Sequence, residues 1–134
     1  MTKIDKIYTA LMAIVGDIGY FTSAQTSDFE THPAIGFGVP TIHNDPQLGA
    51  DNYVNVDIPV VIVDAGLTPL VNVNLAVMYE EWREAFLTNI MSELSTAGVS
   101  VEVVDFGEYD PRVQNDEDRA EVGLEGTVGF KLKL

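Results

Sequence analysis

The two histidines of this 134-residue chain, His32 and His43, are the first residues to consider for metal or acid–base chemistry. A metal pair with Asp45 or Asp51 would use suitable atom types, but the sequence has no His-x-x-x-His or comparable ligand spacing. The chain also contains no cysteine, which excludes disulfides, thiolate catalysis and cysteine-based zinc sites. We therefore predict that both histidines are ordinary loop residues and that the chain binds no metal ion.

The sequence patterns of other catalytic sites are missing as well. There is no Gly-x-Ser-x-Gly element for a serine nucleophile, and Gly36-Phe37-Gly38 leads into a proline-containing loop rather than the helix of a phosphate site. The acidic run 115–118 resembles a calcium loop, but Ala120 stands at the sixth position, where such a loop requires glycine. The three carboxylates between residues 105 and 110 belong to a chain with 21 acidic residues, so their proximity alone does not indicate acid–base catalysis. We predict no enzymatic activity and no cofactor.

The charge balance argues against a further class of function. Seven Lys and Arg residues face 21 Asp and Glu residues, so the formal net charge is −14. Affinity for nucleic acid comes largely from cationic contacts to phosphates, so specific nucleic-acid binding is not expected. Such a surface is either simply well solvated, or it is an acidic face that docks a basic partner or lets DNA pass without adhering.

No segment of the sequence is apolar over the roughly 20 consecutive residues that a membrane-spanning helix needs. The apolar residues after the N-terminal lysines resemble a signal peptide only superficially, because Asp5 and Asp17 flank or interrupt them and their spacing fits one helix face. We expect a soluble protein without a membrane partner, made in the cytoplasm.

The first half of the chain reads as a helix, an irregular segment and a strand. Apolar residues at spacings of three and four predict a helix over residues 2–19, which Thr2 can cap. Residues 20–51 follow as an irregular loop segment that is longer than most loops, so it is either functional or hides a short strand. Residues 52–64 alternate and predict a strand, in which Pro59 cannot donate a hydrogen bond and therefore favours an edge position or a bulge.

The strongest helix signal lies at residues 74–97, where one apolar stripe includes Trp82 and most polar residues lie opposite it. Asn72 or Asn74 is the expected N-cap of this helix. Gly98 follows it directly, at the position where a glycine commonly ends a helix. We predict a long helix that spans the domain.

The C-terminal part of the chain alternates with a period of two, which predicts strands over residues 99–103 and 120–134. The second is longer than typical strands, so either its glycines bend it or part of the hairpin stands out from the body. We predict a single α+β domain over residues 1–134, with a mixed or antiparallel β-sheet packed against one long helix. An N-terminal helix and a long C-terminal β-hairpin complete it, and the acidic tip of the hairpin, residues 105–119, protrudes.

Four stretches of this sequence together carry a resemblance to a known family. They are the opening helix from Lys3 to Ile18, the proline-containing run that leads to residues 52–60, the helix from Leu75 to Ala97, and the terminal strand that ends at Leu134. In this order and with these lengths they resemble the tail terminator (tail completion, or minor tail) proteins of long-tailed bacteriophages. The resemblance covers nearly the whole chain, and it is one of architecture rather than of a short motif.

The resemblance implies a virion structural protein of the tail or neck, made in the host cytoplasm. Its subunits would form a ring, a hexamer, that caps the tail tube and joins it to the head connector. The implied partners are further copies of the chain, the tail tube protein and the head–tail connector or adaptor, while DNA passes through without specific binding.

The predicted hairpin and irregular segment are where we expect these partners to bind. A hairpin too long for its own core can pack on a neighbouring subunit, and head-to-tail contacts of this kind close into rings. We therefore expect contacts within residues 28–51 and 105–125. The candidate contact residues are Phe37, His43, Asp105, Glu108, Asp110, Arg112, Asp116, Glu117, Asp118 and Arg119.

Three alternatives remain open. Another phage tail or neck component, such as a tube subunit or an adaptor, would share the long hairpin, but tube subunits generally contain more strand. A small ligand-binding or regulatory α+β domain would have a concave pocket between the long helix and the sheet, and it would be a monomer in solution. An enzyme that uses Asp or Glu with a metal bound by His32 or His43 fits the sequence least.

Overall fold

The computed structural model describes residues 2–26, 29, 31, 33–44, 53–65, 71–116 and 119–133. For residues 65, 103, 113–116 and 119–121 only the backbone is described. The described residues form an α+β fold of two helices and one mixed seven-stranded sheet. The elements in chain order are α1 (Lys3–Asp17), β1 (Phe21–Ser23), β2 (Ala34–Phe37), β3 (Thr41–Asn44), β4 (Tyr53–Ala65), α2 (Val71–Thr96), β5 (Val101–Asp105), β6 (Asp110–Asp116) and β7 (Arg119–Lys133).

Helix α1 begins with the predicted cap. The Thr2 hydroxyl accepts a hydrogen bond from the backbone N–H of Asp5 at 3.2 Å, and the Asp5 carboxylate accepts one from the Thr2 backbone at 3.4 Å. This reciprocal pair satisfies two of the N–H groups that a helix start leaves without partners. The helix ends at Asp17, two residues before the predicted end, and its apolar stripe is buried against α2 and the sheet.

The two longest strands form the centre of the sheet. β4 and β7 pair antiparallel over the whole length of β4, from Tyr53 opposite Lys133 to Ala65 opposite Glu121. β2 and β3 both pair with the outer side of β4, while β5 and β6 both pair with the outer side of β7. β1 extends the sheet by pairing parallel to β2. Of the two predicted possibilities, a mixed or an antiparallel sheet, the parallel pair of β1 and β2 shows the mixed one.

Of the two positions predicted for Pro59, an edge or a bulge, the structure excludes the edge and places Pro59 beside an interruption of the strand pairing. It lies in β4, a central strand, opposite Thr127 of β7. Its carbonyl accepts from Gly38 at 2.9 Å, so its nitrogen also points to the β2–β3 side, because the N and C=O of one strand residue face the same neighbour. Residues 38–40 interrupt the pairing there, between β2 and β3. The nitrogen of Pro59, which carries no hydrogen, therefore faces a stretch where no neighbouring strand requires a hydrogen-bond donor.

Helix α2 starts three residues earlier than predicted. It begins at Val71, which places Asn72 and Asn74 inside the helix, so neither is the N-cap. Its end follows the prediction, because Gly98 has a φ of +80° and donates to the carbonyl of Ser95. The next residue, Val99, donates to Leu94 at 2.8 Å. These two bonds form a Schellman motif, in which a left-handed glycine closes the helix.

The space between α2 and the sheet is filled by aromatic rings. Trp82 is fully buried and lies 5.7 Å from the ring centre of Phe37 and 5.4 Å from that of Phe86. Phe106 and Tyr109 stack at 4.9 Å with an angle of 13°, and both belong to the short segment that joins β5 to β6. This segment turns its rings toward α2 and thereby closes the core at the β7 edge.

Short strands lie in two segments where the sequence predicts no definite strand. Residues 20–51, the irregular segment in which a short strand was left open, hold β1, β2 and β3, and residues 105–119, predicted as the hairpin tip, hold β6. The positions of these strands could not be predicted because they are only three to seven residues long and do not alternate as β4 does. β6 lies along β7 from Asp110, opposite Glu125, and only the end of this hairpin extends beyond β4. The protruding part is therefore much shorter than the predicted tip.

Candidate functional site

The helices cover one face of the sheet, and the opposite face, called the open face below, carries polar side chains. Residues directly opposite each other on neighbouring strands point to the same face. Asp57 of β4 is opposite Gly129 of β7, which in turn is opposite Asp105 of β5. Asn55 is opposite Lys131 in the same way. The even-numbered residues of β4 from Val54 to Ile62 point the other way, into the core.

Two of the predicted contact residues meet at a shallow depression on the open face. The depression has a volume of about 300 Å³. His43 and Asp105 line it, and so do Asp57 and Lys131, which the sequence did not single out. Asp57 Oδ1 lies 2.9 Å from the position that a Cβ on Gly129 would take, so glycine at this position leaves room for the carboxylate.

The acidic residues and the histidine that line this depression do not converge on one point as metal ligands would. Among the residues that the structure describes, no three His, Asp or Glu side chains come together as ligands for one ion. Asp105 Oδ1 accepts instead from the backbone N–H of Gly107 at 3.2 Å, which stabilises the turn after β5. His32, the other histidine considered for a metal, lies outside the described residues.

A second depression lies further along the open face and is acidic. Its volume is about 380 Å³, and its charged lining consists of Glu108, Asp110 and Glu125. Glu108 and Asp110, two of the predicted contact residues, are exposed. With Asp57 and Asp105, five carboxylates are therefore presented on or beside one face of the sheet. Lys131 is a cation on that face.

At its far end the open face is covered by the chain itself. Phe29, 3 % exposed, packs with Ala34, Val61 and Val63 in a small second core. Arg112 is half-buried and its guanidinium donates to the carbonyl of Thr26 at 2.6 Å. Arg112 therefore joins β6 to the segment after β1, a structural role that the sequence did not indicate.

Five predicted contact residues remain. One of them is buried, and the side chains of the other four lie outside the described residues. Phe37 is fully buried against Trp82, so its prediction as a contact residue is wrong. The glycines on either side made it resemble a loop residue, whereas it lies in β2 and faces the core. Asp116 and Arg119 pair through their backbones at the hairpin end, but their side chains, and all of Glu117 and Asp118, lie outside the described residues.

Helix α2 presents a second surface, which the sequence interpretation missed. Its outward side carries four exposed apolar residues with 44–58 % of their surface accessible. Together with two glutamates they follow a spacing of four, three, four, three and four, which places all six on one helix face. This stripe, called the outer stripe below, consists of Val73, Val77, Glu80, Glu84, Leu87 and Met91.

A groove lies beside the outer stripe, between α2 and the end of α1. Its volume is about 390 Å³, and Ile18, Glu81, Glu84 and Ala85 are among its lining residues. Next to it, the Tyr20 hydroxyl donates to Glu81 Oε2 at 2.9 Å. Partial burial, followed by this hydrogen bond and the charges of Glu81 and Asp64, raises the pKa of Tyr20 to about 12. Tyr20 therefore stays a neutral donor at physiological pH.

The chain matches no model of a known protein family and no curated protein. No helix in the described part of the chain is both long and apolar enough to cross a membrane.

Proposed function

We propose that this chain is a structural protein of a phage virion that forms a ring, caps the tail tube and joins it to the head connector. The proposal rests on the architecture predicted from the sequence and on one structural observation, the acidic open face. In the proposed ring this face borders the channel through which DNA passes. Assembly takes place in the host cytoplasm, and the finished protein resides in the tail or neck.

The acidic open face suits such a channel for an electrostatic reason. Asp57, Asp105 and the acidic depression at Glu108, Asp110 and Glu125 place carboxylates along a face that no helix covers. Carboxylates repel the phosphates of DNA, and binding to DNA requires cationic contacts. A channel lined in this way lets DNA move through without adhering to the wall.

The core argues against a small ligand-binding domain. That alternative needs a pocket between α2 and the sheet. In this chain Trp82, Phe86 and Phe106 occupy that space, with ring centres 5.4 to 6.3 Å apart. The surfaces left for function are therefore external ones, as expected of a protein that assembles with others.

Negative-stain electron microscopy of the purified chain, alone and mixed with tail tubes, tests this proposal. We expect closed rings in the first sample and a ring at one end of each tube in the second. Long tubes built of the chain itself would instead identify a tube subunit. A chain that forms no rings and does not bind to tubes would contradict the proposal.

A further inference from the structure

The few cations of this chain are concentrated at one end of the molecule. Four of its seven Lys and Arg residues lie there: Lys3 and Lys6 in the first two turns of α1, and Lys131 and Lys133 at the end of β7. Lys3 Nζ donates to the backbone carbonyl of Lys133 at 2.6 Å, which shows that the two segments meet. We call this surface the lysine end. The acids beside it include Asp5 of α1, Glu102 of β5, and Asp57 and Asp105, which line the same depression as Lys131.

The lysine end and the middle of α2 are separate surfaces. Lys6 Nζ lies 3.9 Å from the position that a Cβ on Gly98 would take, so the lysine end is beside the C-terminus of α2. Glu84 lies twelve residues before Thr96, the last residue of that helix. At 1.5 Å per residue the separation along the helix axis is about 18 Å. One molecule therefore offers both surfaces to two different neighbours.

The outer stripe has the chemistry that complements the lysine end. Glu80 and Glu84 occupy its middle, both exposed, and neither forms an ion pair within the described part of the chain. Leu87 and Met91, 49 % and 54 % exposed, follow on the same helix face. Two outer stripes facing each other would bring like charges together, which is unfavourable. The stripe is therefore suited to a cationic neighbour.

We propose that neighbouring copies of this chain bind head to tail, with the lysine end of one copy on the outer stripe of the next. The inference rests on the proposed ring and specifies its subunit contact. Because the two surfaces differ, the contact is heterologous, and a heterologous contact generates a closed ring when its rotation closes. Lys131 borders both the lysine end and the open face, whereas the acidic depression at Glu108, Asp110 and Glu125 lies outside this contact and remains free to border the channel.

Charge reversal tests this contact by sedimentation velocity of the purified full chain at low salt. The first variant combines Glu80→Lys with Glu84→Lys, and the second combines Lys3→Glu with Lys133→Glu. We expect each variant to weaken self-association about tenfold or more, because like charges then meet across the contact. The chain that carries all four substitutions regains opposite charges and recovers assembly.

The matched control combines Asp17→Lys with Glu93→Lys, which shifts the net charge by the same amount and in the same direction as the first variant, at positions outside both surfaces and outside the predicted contact segments. This variant is expected to assemble like the unmodified chain. Circular dichroism confirms that each variant is folded. Recovery in the fourfold variant separates a true contact from a general effect of charge.

The outcomes separate this inference from the proposed function. If both charge-reversal variants still form rings, the proposed contact between the lysine end and the outer stripe is wrong, while the proposed function as a ring-forming protein stands. Equal weakening in the control also overturns it, because net charge then explains the effect. A chain that does not assemble, alone or on tail tubes, overturns the contact and the proposed function together.

Discussion

Trp82 donates a hydrogen bond from its indole Nε1 to the hydroxyl of Tyr109 at 2.9 Å. This bond joins the middle of α2 to the segment between β5 and β6, which lies at the edge of the sheet. Trp82 is fully buried, so its N–H needs a partner, and the Tyr109 ring finds room because Gly126 lies beneath it. The orientation of the β7 edge relative to α2 thus depends on three residues from separate parts of the chain.

The first prediction concerns this hydrogen bond. Tyr109→Phe keeps the stacked ring but leaves the buried indole N–H without its acceptor, which costs about 1–3 kcal/mol of the free energy of unfolding. Urea denaturation measures the loss. The control, Tyr20→Phe, removes a hydroxyl whose hydrogen bond to Glu81 lies at the protein surface, and we expect a change within about 0.5 kcal/mol. Equal effects of the two substitutions would show that the Trp82–Tyr109 bond contributes nothing beyond an ordinary surface contact.

The second prediction concerns the space under Tyr109. A Cβ at position 126 would lie 2.4 Å from the Tyr109 ring, so Gly126→Ala forces the ring to move and costs about 1–3 kcal/mol. The control is Gly16→Ala in α1, where nothing lies within 4 Å. There the substitution is expected to stabilise by up to about 1 kcal/mol, since alanine favours a helix. Thermal unfolding gives both values, and a harmless Gly126→Ala would contradict the packing described.

The third prediction is a loss of stability at alkaline pH. Burial raises the pKa of Tyr109 above its usual range, and the pKa of Tyr20 rises from 10.0 to about 12. Above pH 10 the unfolded chain releases these protons while the folded chain retains them, so the free energy of unfolding falls as pH rises from there toward 12. Below pH 10 these two groups give no pH dependence.

Denaturation midpoints measured across this pH range, for the unmodified chain and for Tyr109→Phe, check the third prediction. The variant is expected to have a smaller alkaline slope, because it lacks one of the tyrosines whose pKa is raised in the folded chain. An unchanged slope would show that Tyr109 ionises alike in the folded and the unfolded chain.

The fourth prediction concerns Arg112 and the segment that it holds. Arg112→Ala removes the hydrogen bond to Thr26 and with it one attachment of the chain next to β1. We expect the backbone amides of Phe21–Ser23 to exchange hydrogen faster, while those in the middle of α2 keep their protection. Arg83→Ala, an exposed substitution on α2, is the control. Faster exchange throughout the chain would mean that Arg112 supports the whole fold.

The fifth prediction is the salt dependence of assembly. If lysines meet glutamates at the subunit contact, added salt screens them, because the Debye length falls from about 10 Å at 0.1 M to about 3 Å at 1 M. Self-association followed by light scattering is expected to weaken over this range. Association that strengthens with salt would indicate a contact dominated by the apolar residues of the outer stripe.

The helices and the two central strands were predictable because their patterns are long. α1 has its capping pair and α2 its stripe around Trp82, while β4 and β7 alternate over more than ten residues. β2 and β3 have four residues each and are interrupted at Gly38–Pro40. β6 is largely polar and becomes a strand through its pairing with β7. Such strands depend on tertiary pairing rather than on local sequence.

The candidate surfaces were predictable only in part, for a related reason. Asp105 and His43 were singled out from their loops, but their neighbours Asp57 and Lys131 become visible only when the pairing register of β4 and β7 is known. Phe37 was misassigned because flanking glycines hid its place in a strand. The spacing of Val73, Val77, Leu87 and Met91 indicates the outer stripe of α2 in the sequence. The buried stripe through Trp82 is the stronger signal on the same helix, so the outer stripe was overlooked.

The ring itself is the central claim, and the mass of the purified chain in solution tests it most directly. Light scattering at increasing protein concentration is expected to find one discrete species with six times the mass of the chain. Its mass stays constant once the ring has formed, because a closed ring has no free end to extend. A monomer at every concentration that also forms no ring on added tail tubes would contradict the claim. So would a mass that keeps growing, since that is the behaviour of an open polymer.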